Sequence, residues 1–299
     1  DDFTRLADAR ADRVCSRAPV AIPPSGSHAD SMPRPEQHLD PDTRAFYCRS
    51  LRSLETRGVP FLVGGAYAFE RYTGIARHTK DLDVFLREED CPAALEALTA
   101  DGCRGEVPFS HWLAKAYCGD HFVDLIFSSG NGLAPVDDVW FEHAVNETVL
   151  GIPVKIVPAE EMIWQKALIM ERERYDGADV AHLLHARAPC LDWSRLLRRF
   201  GTHWRVLLGH LVMFGYVYPS DRDRIPARIV HELTERLLGE QEQQPPRHRV
   251  CNGTVVSRMQ YLVDVEERGY QDGRAWPHGP MSAAEIVHWT EAARREGMR

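Results

Sequence analysis

The sequence predicts an α+β protein, in which a small mixed β-sheet flanked by helices is followed by an α-helical module. Up to residue 157, short apolar runs broken by glycine and acidic residues alternate with helical patterns; from residue 158 the patterns are almost all helical. We therefore expect a sheet domain at residues 42–157 and a helical module at residues 158–299. Residues 1–41 are expected to form a loose N-terminal arm, because residues 17–41 are rich in Pro, Ser, His and Asp without an apolar period.

The elements of the sheet domain follow from the spacing of its apolar residues. Phe46, Leu51 and Leu54 recur at helical spacing, and Gly58 stands where a helix C-cap belongs. The apolar run before Gly64-Gly65 predicts a strand, a glycine turn and then a helix. The predicted elements are helices at 42–57, 66–72 and 92–100, strands at 59–63, 82–86 and 121–127, and a hairpin of 145–150 with 152–157 around Gly151.

The second half reads as helices separated by prolines. Helices are predicted at 158–171, 176–188, 192–200, 204–216 and 227–238, with shorter ones at 257–268 and 282–295 after a polar linker at 241–248. Its aromatic residues suggest a base-stacking platform, but aromatic side chains in a helical module more often form the core. We therefore assign the set Trp193, Trp204, Phe214, Tyr216 and Tyr218 to the core.

Composition excludes several classes of protein. The 299 residues contain no run approaching the roughly 20 apolar residues of a membrane span, and the N-terminus is polar and acidic, so we expect a cytoplasmic protein. Seven scattered cysteines without a C-x-x-C pair argue against a disulfide framework and a zinc knuckle. The formal net charge of −8 does not favour non-specific binding to nucleic acid.

Asp81-Leu82-Asp83 is the first candidate for chemistry. Alternate residues of a strand point to the same face, so the two carboxylates lie side by side among apolar neighbours. Because like charges repel, such a pair is costly unless cations neutralise it, and carboxylates holding divalent ions recur in phosphoryl transfer. The interpretation of these acids as solvated residues at a strand end is the less favoured one.

A third acid, Asp124, interrupts the otherwise apolar run 122–127. If its strand lies beside that of Asp83, Asp124 completes a metal site and can accept a proton from an attacking hydroxyl. The alternative is a structural carboxylate paired with an arginine. By contrast, Asp179, His182 and His185 recur on one predicted helix and could hold zinc or iron, but a polar face with satisfied histidines is favoured.

The Gly64-Gly65 turn is the candidate phosphate site. Glycine lets the backbone approach a ligand closely, and the following helix offers unpaired N–H groups and a positive dipole to phosphate. A tight turn without a ligand is the alternative. Cationic and hydroxyl side chains near the acids could meet triphosphate oxygens. These further nucleotide-binding candidates are Arg77, Thr79, Lys80 and Lys166.

Three segments carry a resemblance to a known superfamily. Residues 61–65, 79–85 and 123–126 resemble the three motifs of the DNA polymerase beta-like nucleotidyltransferases, and 158–180 is similar to the segment that follows the catalytic sheet in antibiotic-modifying and toxin-type members. This resemblance implies transfer of a nucleoside monophosphate from an NTP, with ATP expected, to an acceptor hydroxyl with release of pyrophosphate. It also implies two Mg²⁺ ions, or Mn²⁺ as the alternative, with Asp81 and Asp83 binding both ions and Asp124 the catalytic one.

The sequence leaves three candidate functions to be tested. The first is catalytic transfer to a small hydroxylated molecule, an RNA 3′ end or a protein side chain; the negative net charge favours the small molecule. The second is a catalytically inactive module on the same fold that senses nucleotide or binds a protein, which the intact set of three carboxylates argues against. The third is a helical interaction protein with an incidental sheet, which predicts no metal-dependent nucleotide binding.

Overall fold

The computed structural model describes residues 39–77, 79 and 81–297. Most of the predicted N-terminal arm, residues 1–38, lies outside the described residues. The first described helix begins at Pro41, where the Asp40 carboxylate caps it by accepting hydrogen bonds from the backbone N–H groups of Asp42 and Thr43. This N-cap explains why the helix begins one residue before the predicted boundary.

The described elements confirm an α+β order. The strands are β1 (Leu62–Val63), β2 (Leu82–Phe85), β3 (Arg104–Phe109), β4 (Leu113–Cys118), β5 (His121–Ile126), β6 (Val145–Val149), β7 (Ile152–Ile156), β8 (Val250–Cys251) and β9 (Gln271–Asp272). The α-helices are α1 (Pro41–Thr56), α2 (Gly65–Thr73), α3 (Cys91–Ala100), α4 (Asp138–Glu142), α5 (Ala159–Ala167), α6 (Gly177–Arg187), α7 (Trp193–Phe200), α8 (Trp204–Val217), α9 (Ala227–Gln241), α10 (Gly253–Val256), α11 (Leu262–Glu266) and α12 (Ala283–Gly297). Single 3-10 turns lie at Glu88–Asp90, Ala188–Cys190, Gly201–His203 and Arg222–Arg224.

Seven strands form one mixed sheet in the order β3-β4-β5-β2-β1-β7-β6. The pairs β2/β5 and β1/β7 are parallel and the others are antiparallel, and β6 and β7 form the predicted hairpin. β2 and β5 are neighbours although 35 residues separate the end of one from the start of the other, with α3, β3 and β4 between them. This crossover brings the two acid-bearing strands together.

Some predicted elements differ in extent from those observed. The strand predicted at 59–63 is reduced to Leu62–Val63 because Pro60 has no N–H group to donate to a sheet. The helix predicted at 158–171 ends at Ala167, and that at 257–268 is reduced to the short helix α11, whereas α10 lies just before the predicted range. Sequence reasoning missed β3 and β4 altogether, since the first four residues of β3 are exposed and show no alternation.

The helices after β7 pack mainly on one another and bury aromatic side chains. Trp193, Trp204 and Phe214 are buried, which confirms their assignment to the core. The same assignment is wrong for Tyr216, which is 80% exposed on α8, while Tyr218 is half-buried. A continuous apolar cluster runs from the sheet into these helices. The division at residue 157 therefore stays a prediction.

Within the part of the chain that the structure describes, no helix combines the length and the apolar character needed to span a bilayer.

Candidate active site

Three carboxylates converge where β2 and β5 lie side by side. Asp83 and Asp124 are direct partners in the parallel pairing, and Asp81 lies in the bend immediately before β2. One oxygen from each of the three lies within 4.8 Å of the others. We call Asp81, Asp83 and Asp124 the acid triad; no other group of three His, Cys, Asp or Glu side chains has this geometry among the described residues. The adjacency of the two strands, on which the sequence-based hypothesis depended, is present.

Three negative charges in the acid triad are electrostatically unfavourable unless cations are bound. Burial, and then the neighbouring carboxylates of Asp81 and Asp124, raise the pKa of Asp83 to about 7. Burial also raises the pKa of Asp124, against the opposing effect of Lys115. Carboxylate oxygens are the ligands that Mg²⁺ and other hard divalent cations prefer, and their binding would relieve this repulsion. The donor set therefore fits divalent cations.

Lys115 is a site residue that sequence reasoning missed. It lies on β4 opposite Asp124, and its Nζ donates a hydrogen bond of 2.6 Å to Asp124 Oδ1. The same Nζ lies 4.4 Å from the centre of the Phe122 ring. These contacts hold the Asp124 carboxylate in a defined orientation. The available signal is a lysine inside the apolar run 113–117, but no strand is predicted there from the sequence.

The glycine turn lies against the same acids. The Gly64 N–H donates to the Asp83 carbonyl oxygen at 3.0 Å, and Gly65 opens α2 with a φ of +54°. A Cβ at Gly65 would overlap the Asp83 carboxylate, and a Cβ at Gly64 would overlap the Phe85 ring. Only glycine fits at both positions. The backbone of this turn therefore lies directly beside the acid triad.

The other predicted nucleotide-binding residues have different surroundings. Thr79 Oγ1 donates to Asp81 Oδ1 at 2.5 Å, and so helps to orient the triad. Arg77 forms an ion pair with Asp179 and lies over the Phe69 ring. Lys80 lies outside the described residues.

Lys166, on α5, is held by two carboxylates of the following segment. Its Nζ donates to Asp176 Oδ2 at 3.0 Å and to Asp179 Oδ2 at 2.8 Å. Arg77 and Lys166 are thus both engaged by Asp179. This also explains why the alternative metal site does not assemble: Asp179 is taken up by cations, and the His182 ring packs edge-on against Phe69.

A cavity of about 570 Å³ joins these features. It is lined by the acid triad, by Gly65, Arg77, Thr79 and Lys166, and by residues from two distant parts of the chain. Those parts are the loop Ser129 to Asn131 after β5 and a C-terminal group, Thr254, Val255, Val256, Arg258 and Trp289. The cavity is therefore completed by residues far beyond the sheet.

A mixed sheet that holds an acid triad beside a glycine turn and a helix start defines the class of protein as a nucleotidyltransferase. The chain belongs to a family described as uncharacterised nucleotidyltransferase, whose model matches residues 49–207. That segment contains the triad, the glycine turn, Lys115 and Lys166. The protein is accordingly a transferase, as the sequence predicted.

The fold is also similar, at low identity, to solved structures. The antibiotic-resistance factor ANT(2'')-Ia is 15% identical, with 68% of this chain and 97% of that chain covered and a TM-score of 0.37. The lincosamide antibiotic adenylyltransferase LnuA, in a lincomycin-bound structure, is 14% identical, with 48% and 95% covered and a TM-score of 0.35. An antigenic nucleotidyltransferase-like protein from Paracoccidioides brasiliensis is 16% identical, with 64% and 99% covered and a TM-score of 0.40. No curated protein matches the sequence.

Proposed function

We propose that this nucleotidyltransferase is metal-dependent and moves a nucleoside monophosphate from an NTP, with ATP expected, to an acceptor hydroxyl. The observation that carries the proposal is the convergence of three carboxylates within 4.8 Å. Such a cluster is costly when empty of cations, and it lies beside a glycine turn suited to phosphate. Two Mg²⁺ ions, or Mn²⁺, are the expected occupants.

Each member of the triad has its own part in this proposal. Asp81 and Asp83 would hold both ions and Asp124 one of them. When bound, the ions offset negative charge on the phosphates. Asp124 accepts the proton of the acceptor hydroxyl, whose oxygen forms a bond to the α-phosphorus while the bond to pyrophosphate breaks. Lys115 orients Asp124 for this transfer through its 2.6 Å hydrogen bond.

The triphosphate is proposed to lie against the Gly64-Gly65 turn and the start of α2. No side chain caps this helix, so its first N–H groups are available to phosphate oxygens. Arg77 and Lys166 line the same cavity but are both paired with Asp179. In the proposed complex, Arg77 and Lys166 contact phosphate through their remaining N–H donors while they stay paired with Asp179. Thr79 and Lys80 complete the proposed nucleotide-binding set.

Calorimetry with ATP, CTP, GTP and UTP, with Mg²⁺ and in EDTA, tests this function. We expect at least one NTP to bind tightly only with Mg²⁺, and Asp81→Asn or Asp83→Asn to remove that coupling. Asp223→Asn is the matched control, because Asp223 is exposed on a surface turn. Affinity that is the same with and without Mg²⁺ would contradict the proposal.

Turnover then separates an enzyme from a nucleotide sensor. α-Labelled ATP is incubated with Mg²⁺, the protein and a cell extract, and label is measured in the protein, RNA and small-molecule fractions. Transfer that depends on Asp83 is expected. Binding without any transfer would favour the inactive nucleotide-sensing module.

A further inference from the structure

Part of the cavity wall comes from a C-terminal segment outside the family-matched residues 49–207. Three contacts fix this segment in place. Asn131 Nδ2 donates to the Val255 carbonyl oxygen at 2.8 Å, and the Met170 N–H donates to the Val256 carbonyl oxygen at 2.9 Å. Ser257 Oγ donates to Glu171 Oε2 at 2.8 Å. The segment is thus tied both to the loop after β5 and to the chain after α5.

Aromatic side chains continue this wall. Trp289, on α12, meets the rings of Phe109 and Trp112 edge to face, with centroids 4.9 and 5.3 Å apart. The Arg258 guanidinium lies 4.3 Å from the centre of the Trp289 ring. Trp112 and Trp289 both line the cavity, as do the aliphatic side chains of Val255 and Val256. This surface offers apolar contact area rather than charge.

The charged groups of the cavity outside the triad are already matched. Glu171 accepts from Arg258 Nε at 3.0 Å, and Asp176 and Asp179 accept from Lys166. The remaining lining cations are paired too, Arg77 with Asp179 and Arg174 with Asp176. Among the lining residues that the structure describes, no carboxylate outside the triad is left to receive an ammonium group from an acceptor.

We propose that the acceptor is an uncharged small molecule with a hydroxyl group and an apolar or aromatic face. This inference rests on the proposed function. The face packs on Trp112, Trp289, Val255 and Val256, and the hydroxyl is presented to Asp124. Its oxygen bonds to the α-phosphorus, its proton passes to Asp124, and pyrophosphate leaves with the electrons of the broken bond. A polycation would find its charges unmatched beyond the triad, whose carboxylates would hold the metal ions.

A binding panel tests this substrate class. The full chain is saturated with Mg²⁺ and a non-hydrolysable ATP analogue, then titrated with neutral aryl glycosides, with tobramycin as a polycation and with a short RNA bearing a free 3′-hydroxyl. We expect a neutral aryl glycoside to bind at least about tenfold more tightly than tobramycin or the RNA, with little dependence on salt. Preference for tobramycin or RNA, or failure of every neutral compound to bind, overturns the proposal.

Two variants sharpen the test. Trp289→Leu is expected to weaken binding of the neutral glycoside by about tenfold, whereas the matched control Trp276→Leu, at an 81% exposed tryptophan, is expected to leave it unchanged. Arg258→Met removes the cation from Glu171, so affinity for tobramycin should rise several-fold. An unchanged tobramycin affinity in Arg258→Met overturns the charge argument.

The two proposals fail in different ways. If ATP binds without dependence on Mg²⁺, the proposed function fails at its first step. If Mg²⁺-dependent ATP binding is intact but the acceptor panel gives the opposite order, only the acceptor class is wrong. Trp289→Phe, which keeps an aromatic ring against Phe109, serves when Trp289→Leu does not fold, and it is expected to retain most of the glycoside affinity.

Discussion

Removing one charge from the acid triad should stabilise the protein when no metal is present. In Asp83→Asn, the amide takes the place of a carboxylate whose pKa is raised from 3.8 to about 7. At ~1.4 kcal/mol per pH unit, this shift corresponds to about 4 kcal/mol as an upper bound. Because Asp83 is only partly buried and the site can relax, we expect about 1–3 kcal/mol of this in practice.

The pH dependence has a definite sign. Below pH ~4 the carboxyl is protonated in both the folded and the unfolded state, so its charge has no effect on stability. As the pH rises towards 7, the unfolded chain loses this proton more readily than the folded protein, and the folded state is progressively destabilised. The stabilising effect of Asp83→Asn should therefore be absent near pH 4 and complete above pH 7.

Urea unfolding in EDTA at several pH values measures this effect. At pH 8 the variant should unfold at higher urea than the wild type, and the difference should shrink as the pH falls. Added Mg²⁺ should stabilise the wild type and reverse the order. Asp223→Asn removes the same formal charge from the surface and should change the free energy of unfolding little. A destabilised Asp83→Asn protein at pH 8 in EDTA would refute the electrostatic argument.

Three further substitutions test individual contacts. Lys115→Met leaves Asp124 without its hydrogen bond, so kcat should fall by about 10–100-fold with a smaller change in KM for ATP; an unchanged kcat would rule out a positioning role. Gly65→Ala should abolish Mg²⁺-dependent ATP binding in calorimetry, because the new Cβ meets the Asp83 carboxylate; retained binding would contradict the close approach. Glu161→Ala removes a buried carboxylate that pairs with Arg195 and Arg199, leaving buried Arg195 with Glu160 alone, and should lower the free energy of unfolding in urea by about 3–5 kcal/mol; a loss under about 1 kcal/mol would show that these ion pairs do not stabilise the fold.

The centre of the site could be predicted from the sequence because its signals are local. A carboxylate inside an apolar strand is unfavourable without a partner, so Asp83 and Asp124 stand out from their neighbours. The glycine pair stands out in the same way, since a strand that ends in two glycines before a helix indicates close backbone approach. The pairing of β2 with β5 is only a hypothesis from the sequence, and the structure brings the two strands together.

The surroundings of the triad could not be predicted because they depend on contacts across the chain. β3 lies at the edge of the sheet and exposes most of its residues, so it lacks the apolar alternation that marks a strand. Because β3 and β4 are not predicted, Lys115 on β4 is not identified as a site residue from the sequence. Lys166 lines the cavity, but its ion pairs with Asp176 and Asp179 depend on how α6 packs on α5.

The distribution of charge around the cavity links the two proposals. Among the described residues, the three carboxylates of the triad have one ion-pair partner, Lys115, which binds Asp124, and this excess of negative charge is what cations would neutralise. In the rest of the described lining, acidic and basic side chains are paired with one another, so their charges are already neutralised within the protein. The same electrostatic reasoning therefore supports both proposals: metal ions at the triad, and an uncharged acceptor in the rest of the cavity. An acceptor that needs a free carboxylate would require one of these ion pairs to open. Arg258→Met removes the cation of one such pair and leaves Glu171 without it.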